Sequence, residues 1–107
     1  CAAFDVRGGA AHRLSPDTSA QAAALGDALA ALPGPVYLMG DGAHLVAAAW
    51  PNDTRLRLCA PHQRLLRAGG VCRAALASGV RVPPDELRPV YHRLSQAERE
   101  RALREKK

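Results

Sequence analysis

The chain has 107 residues, of which 48% are hydrophobic and 4% aromatic, and its formal net charge is +5. This length suits one domain with a modest core of small and branched aliphatic side chains. Three cysteines are too few for a disulfide framework and favour a reducing cytosol, and no apolar run approaches the roughly 20 residues of a membrane-spanning helix, so a membrane protein is not expected.

The first residues predict a β-hairpin. Ala2, Phe4 and Val6 alternate with other residues at strand spacing. The pair Gly8-Gly9 suits a hairpin turn, and residues 11–14 return as a second strand. The chain opens directly on this strand, without an initiator Met and without the basic and long apolar stretches of a signal peptide. We therefore expect it to be a piece of a longer protein.

A first helix is predicted to begin at Ser15-Pro16-Asp17. Ser is a good cap, Pro suits the first helical position, and Asp lies at the positive end of the helix dipole. A capping box of Thr18 with Gln21 is an alternative start. An apolar face at helical spacing runs up to the breaker Pro33-Gly34-Pro35 and consists of Ala22, Leu25, Leu29 and Leu32.

The middle of the sequence alternates strands with helices. The apolar run at residues 36–39 predicts a strand that is buried on both faces. A helix is predicted over residues 43–50, and the alternation at residues 55–58 predicts a strand with one solvent-exposed face. A long helix over residues 63–78 follows, with Gly79 at its C-terminal cap, although two glycines inside it cost about 1 kcal/mol each relative to Ala.

The last part of the sequence predicts a short extended segment and a charged helix. Residues 89–93 form the extended segment. Ser95 and Glu98 then have the spacing of a capping box, and Glu100 with Arg104 has the spacing of an ion pair within one helix. The balance of charge over residues 88–107 is +4, against +1 for the rest of the chain.

Strands that alternate with helices predict the α/β class, with a mixed sheet covered by helices. We expect a single α/β lobe over residues 1–93 and a charged helical tail over residues 94–107. The basic tail can contact phosphates or an acidic partner, but it is also typical of a solvated helix.

Few residues suggest a catalytic, metal-binding or ligand-binding site. Gly40-Asp41-Gly42 lies between a predicted strand and a predicted helix, where backbone amides can bind phosphate, but Gly and Asp are also ordinary turn formers. Cys59 and His62 have metal-like spacing without a second pair, and no third group can be placed to orient them as a nucleophile and its base. We therefore expect no catalytic residue, no metal site and no cofactor.

Two motifs carry a family resemblance. The stretches PVYHRLSQAERE at residues 89–100 and PVYLMGDGA at residues 35–43 resemble the C-terminal half of the bacterial TsaB (YeaZ) family. That family serves the synthesis of threonylcarbamoyladenosine in tRNA. The resemblance implies one lobe of the actin-like ATPase (ASKHA) fold, in a non-catalytic partner of TsaD that works with the ATPase TsaE. The family's N-terminal half, where the main TsaD-binding surface is expected, is absent here, and its glycoprotease-like labels have no supporting chemistry in this chain.

The resemblance also assigns individual residues. Pro89, Tyr91 and Arg93 match the terminal strand motif of the family, and the tail that follows it is matched by Ser95, Gln96, Ala97, Glu98 and Arg99. We expect Pro89 to hold the segment extended and Tyr91 to cover an edge of the core.

Two other functions stay open. One is a small RNA-binding module that contacts tRNA through the basic tail and the arginines just before it. Its basic residues would be Arg88, Arg93, Arg99, Arg101, Arg104, Lys106 and Lys107. The other is a small enzyme built on the turn at residues 40–42. An incomplete lobe can also expose apolar surface and self-associate as a homodimer.

Overall fold

The computed structural model describes residues 1–106, which divide into two compact units. One unit combines Cys1–Ala20 with residues 83–106, and the other is Gln21–Val82. The secondary structure is a small mixture of helices and strands, so the α/β class is confirmed. In chain order the elements are β1 (Phe4–Asp5), β2 (His12–Arg13), α1 (Gly26–Ala30), β3 (Val36–Leu38), α2 (Ala43–Ala49), β4 (Leu56–Leu58), α3 (Pro61–Arg64), α4 (Ala68–Ser78) and α5 (Gln96–Glu105). No helix among the described residues is long and apolar enough to cross a bilayer.

The predicted mixed sheet is wrong in its extent, because the described strands form two separate pairs. Strands β1 and β2 are antiparallel, and strands β3 and β4 are parallel. The extended segment at residues 89–93 pairs with neither of them. Pro89 has no N–H to donate to a ladder, which disfavours strand pairing at that position.

The predicted hairpin is confirmed in the first unit. Phe4 pairs with Arg13, and the Arg13 guanidinium lies 4.7 Å from the centre of the Phe4 ring. Gly9 has a φ of +81°, and its N–H donates to the carbonyl of Val6 at 3.1 Å. Because a positive φ disfavours residues with a side chain, this glycine is what the turn requires.

The predicted start of the first helix at Ser15 is wrong. The hydroxyl oxygen of Ser15 accepts a hydrogen bond from the N–H of Ala3 at 2.9 Å, and Asp17 pairs with Arg13 at 2.8 Å. Both side chains are therefore engaged with the hairpin and do not cap a helix. Helical structure begins only at the 3-10 turn Ala22–Leu25, which leads directly into α1.

The second unit has a small core next to the β3–α2–β4 connection. The buried apolar residues among those described are Leu29 of α1, Leu38 of β3 and Ala43 of α2. Strand β3 is not buried on both faces as predicted, since 63% of Tyr37 is exposed. A pair of short parallel strands offers cover on one face only, so alternate side chains point to solvent.

Trp50 anchors this core. Its indole Nε1–H donates to the carbonyl oxygen of Ala22 at 2.8 Å. The ring lies so close to Gly26 that a Cβ placed there would be 2.6 Å from Cη2 of Trp50. Gly26 is thus needed for close approach of the ring to the first turn of α1.

Arg55 fixes the end of α1. Its guanidinium donates to the carbonyls of Leu32 at 2.5 Å and Leu29 at 3.1 Å, and it forms an ion pair with Asp53 at 2.6 Å. Carbonyls at a helix C-terminus have no partner within the helix, and a cation there also complements the helix dipole. The hydrogen bond from Arg55 lowers the pKa of Asp53 below its usual value.

The long helix predicted over residues 63–78 is interrupted. Helix α3 ends at Arg64, residues 65–67 are not helical, and α4 begins at Ala68. The break comes before the two glycines, because Leu65 and Arg67 have extended backbone angles, whereas Gly69 and Gly70 lie in the first turn of α4. The predicted cap is confirmed, since Gly79 has a φ of +65° and donates its N–H to the carbonyl of Leu76 at 3.3 Å.

The predicted capping box of the last helix is also confirmed. The N–H of Ser95 donates to the Glu98 carboxylate at 2.8 Å, and the N–H of Glu98 donates to the Ser95 hydroxyl at 3.3 Å. The predicted pair of Glu100 with Arg104 is wrong. Glu100 instead accepts from Gln96 at 2.8 Å, and the ion pair in this helix joins Arg101 to Glu105 at 2.9 Å.

Candidate interaction surface

The terminal motif lies at the surface. Pro89, Tyr91 and Arg93 are all exposed, and Tyr91 is 83% accessible to solvent. The prediction that Tyr91 covers an edge of the core is therefore wrong. Its ring is available for contact with another molecule instead.

A polar contact within the first unit holds this segment near the hairpin. The Nε2 of His92 lies 3.7 Å from the carboxylate of Asp17, which also accepts from Arg13 at 2.8 Å. The hydrogen bond from Arg13, with a smaller contribution from His92, lowers the pKa of Asp17. Sequence reasoning missed this contact because 75 positions separate the two residues and no local pattern joins them.

The charges of α5 balance. Arg99, Arg101 and Arg104 are matched in number by Glu98, Glu100 and Glu105. The positive excess over residues 88–107 therefore comes from residues outside the helix, among them Arg88, Arg93 and Lys106. Such a helix is not a continuous basic stripe of the kind that follows a phosphate backbone.

The turn at Gly40-Asp41-Gly42 is explained by its own hydrogen bonds. Gly40 has a φ of +94°, and the Asp41 carboxylate accepts from the N–H of Gly42 at 2.9 Å. The carboxylate thus takes one of the amides that a phosphate would need, and its charge repels an anion. Helix α2 after it has only seven residues. This geometry therefore fits an ordinary strand-to-helix turn better than a phosphate-binding site.

The cysteines and histidines do not assemble into a metal site within the described part of the chain. No group of three or more His, Cys, Asp or Glu side chains converges there. Cys1, Cys59 and Cys72 are all unpaired thiols. Cys59 and His62 therefore remain a pair without further ligands among residues 1–106.

The second unit has a groove formed by residues of α3, the break after it and the start of α4. It has a volume of about 770 Å³ and lies where the interrupted helix passes from α3 to α4. Its lining includes Leu65, Leu66 and Val71 together with Arg67 and Arg73. Sequence reasoning missed the groove because it predicted one continuous helix over residues 63–78, without the break at residues 65–67. The sequence on either side of residue 65 contains arginines and no carboxylates. This was the signal that could have indicated the groove.

The described surface is unusually rich in apolar side chains. Helix α4 buries no residue, and more than four-fifths of Leu66, Leu76 and Tyr91 is exposed, at 89%, 82% and 83%. Exposed apolar side chains favour contact with other macromolecules where they form a contiguous patch. Comparison with protein-family models, with curated proteins and with solved structures finds no match for this chain.

Proposed function

We propose that this chain is the C-terminal lobe of a TsaB-like scaffold protein, a non-catalytic subunit that supports TsaD-like and TsaE-like proteins in the synthesis of threonylcarbamoyladenosine in tRNA. The observation that carries the proposal is the resemblance of residues 35–43 and 89–100 to the TsaB family. The lobe is of the actin-like ATPase type, and the site of action is the cytoplasm.

The surroundings of both motifs support a role in contact rather than in chemistry. The Gly40-Asp41-Gly42 turn joins β3 to α2, and its carboxylate is engaged by the turn itself. Ser95 and Glu98 are engaged in capping α5. The hydroxyl and the backbone N–H of Ser95 lower the pKa of Glu98 by hydrogen bonding. These hydrogen bonds fit a structural role for the three side chains, which supports a scaffold function.

In the proposed function, exposed apolar side chains of the terminal motif form the contact with a partner protein. Val90 and Tyr91 are exposed by 76% and 83% on a segment without regular structure. Burying such side chains against a partner contributes about 25 cal/mol per Å² of apolar surface, reduced by the entropy lost on ordering the segment. In the assembled machinery this segment packs against a neighbouring protein.

A chimeric protein tests the proposal. The N-terminal half of a bacterial TsaB is joined to this chain, and binding to purified TsaD is measured by calorimetry. We expect the chimera to bind TsaD and the 107-residue chain alone to bind at least tenfold more weakly. Tyr91→Ser should weaken assembly of the chimera, whereas Leu87→Ser, at a side chain that is 70% exposed outside the motif, should leave it unchanged. A folded chimera without affinity for TsaD would refute the proposal.

The RNA-binding function makes a different prediction in the same preparation. Affinity for tRNA would fall steeply as salt is raised and would be lost when residues 94–107 are removed. The balanced charge of α5 argues against it, since only the residues around the helix supply a positive excess.

A further inference from the structure

The groove between α3 and α4 combines apolar and cationic side chains. Leu65, Leu66 and Val71 line it and are exposed by 63%, 89% and 51%. Arg67 and Arg73 line it as well, and neither forms an ion pair with a described residue. An apolar groove with unpaired cations at its edge is complementary to a ligand that is both apolar and anionic.

The charge around the groove has one sign. Between Asp53 and Asp85 the sequence contains six arginines and no Asp or Glu. Asp41 lines a smaller cavity of about 210 Å³ together with Arg64 and Leu65, and this cavity adjoins the groove because Leu65 lines both. The residues that line the groove itself include no Asp or Glu. The groove thus presents a positive field without an internal counter-charge.

We propose that this groove binds an acidic amphipathic segment of another protein. A leucine-like side chain of the partner packs between Leu66 and Val71, and carboxylates on either side of it pair with Arg67 and Arg73. Gly69 and Gly70 have no atom within 4 Å of the position of an added Cβ, so a partner backbone can approach the first turn of α4 closely. The inference is independent of the role proposed above in tRNA modification.

A protein ligand fits these features better than a membrane or a nucleic acid. Helix α4 contains no aromatic residue and a single Arg, whereas helices that lie in a membrane interface are rich in both types. The groove lining contains no Phe, Tyr or Trp, and His62 is its single aromatic side chain, whereas surfaces that bind single-stranded RNA stack successive bases on several aromatic rings. The apolar lining would be left uncovered by a phosphate backbone, but it is buried by a leucine-bearing helix.

Fluorescence anisotropy of the full chain with a labelled probe tests the proposal. The probe is a 16-residue helical peptide of Glu, Leu and Ala, and the comparison peptide has Gln in place of every Glu. We expect the acidic probe to bind at least tenfold more tightly than the Gln peptide. Arg67→Glu with Arg73→Glu should weaken binding of the acidic probe at least tenfold, and Leu66→Ser should weaken binding of both peptides.

Matched control variants distinguish binding in the groove from non-specific binding elsewhere on the surface. Arg81→Glu and Val80→Ser change an exposed cation and an exposed apolar side chain outside the groove, and they should leave affinity within twofold. The proposal is overturned if neither peptide binds, if both bind equally, or if the control variants lose as much affinity as the groove variants. Tighter binding to poly-uridylate or to phosphatidylserine vesicles than to the acidic peptide, with the same variants affected, would also overturn it.

Discussion

Replacement of Gly26 by Ala tests whether the core is organised around Trp50. In a helix with free space, this change stabilises a protein by roughly 0.5–1 kcal/mol, because Ala loses less backbone entropy on folding. At Gly26, however, the new Cβ would lie 2.6 Å from Cη2 and 3.0 Å from Cζ2 of Trp50. The ring cannot easily tilt away, since its Nε1–H is bonded to the carbonyl of Ala22 at 2.8 Å. Overpacking of this kind costs about 1–3 kcal/mol, so we expect a net loss of about 1 kcal/mol.

Gly70→Ala is the matched control for this change. Gly70 is also in a helix, but no atom lies within 4 Å of its added Cβ. We expect a gain of roughly 0.5–1 kcal/mol, so the two substitutions should have opposite signs. Urea unfolding followed by circular dichroism measures both, and the fluorescence of Trp50, which is the single tryptophan, reports directly on the ring. If Gly26→Ala stabilises the chain as much as Gly70→Ala and leaves the emission of Trp50 unchanged, the described packing of the ring on α1 is wrong.

Three further outcomes follow from individual contacts. Trp50→Phe removes the hydrogen bond to Ala22 and should cost about 1–2 kcal/mol in thermal unfolding, whereas an unchanged midpoint would contradict that bond. Hydrogen bonds from Arg7 lower the pKa of Asp5 to about 2, so the stabilisation by this pair is complete above pH 3.8 and is lost as the pH falls through about 2. An NMR titration should give that midpoint and move it up towards 3.8 in Arg7→Gln, which removes the guanidinium but keeps the backbone N–H bond to Asp5; equal midpoints would exclude the side-chain pair. Ser95→Ala should destabilise α5 by about 1 kcal/mol, seen as faster amide exchange in its first turn, and unaltered exchange would reject the cap.

Local features of the fold were predictable from the sequence. The turn at Gly9, the cap at Gly79 and the box of Ser95 with Glu98 each depend on residues within a few positions of one another. Backbone preference and hydrogen bonds between residues close in sequence are sufficient to determine such features. For the same reason, the alternation of strands and helices was sufficient to predict the α/β class.

Features that depend on distant contacts were not predictable. Ser15 is a good helix cap by composition, but its hydroxyl is engaged by the N–H of Ala3. The exposure of Tyr91 depends on how the folded chain packs around its ring, and the residues next to it in sequence do not determine that packing. The groove arises because α3 and α4 are separate helices, and a periodic apolar pattern that runs through residues 63–78 does not reveal the break.

The content of threonylcarbamoyladenosine in tRNA tests the central claim most directly. Cells depleted of their own TsaB would express the chimera that carries this chain as its C-terminal lobe, and digested tRNA would be analysed by mass spectrometry. We predict that the chimera restores the modified nucleoside and that Tyr91→Ser reduces the restoration more than Leu87→Ser does. If a soluble, folded chimera leaves the modification at the level of the depleted cells, this chain is not a lobe of a TsaB-like scaffold.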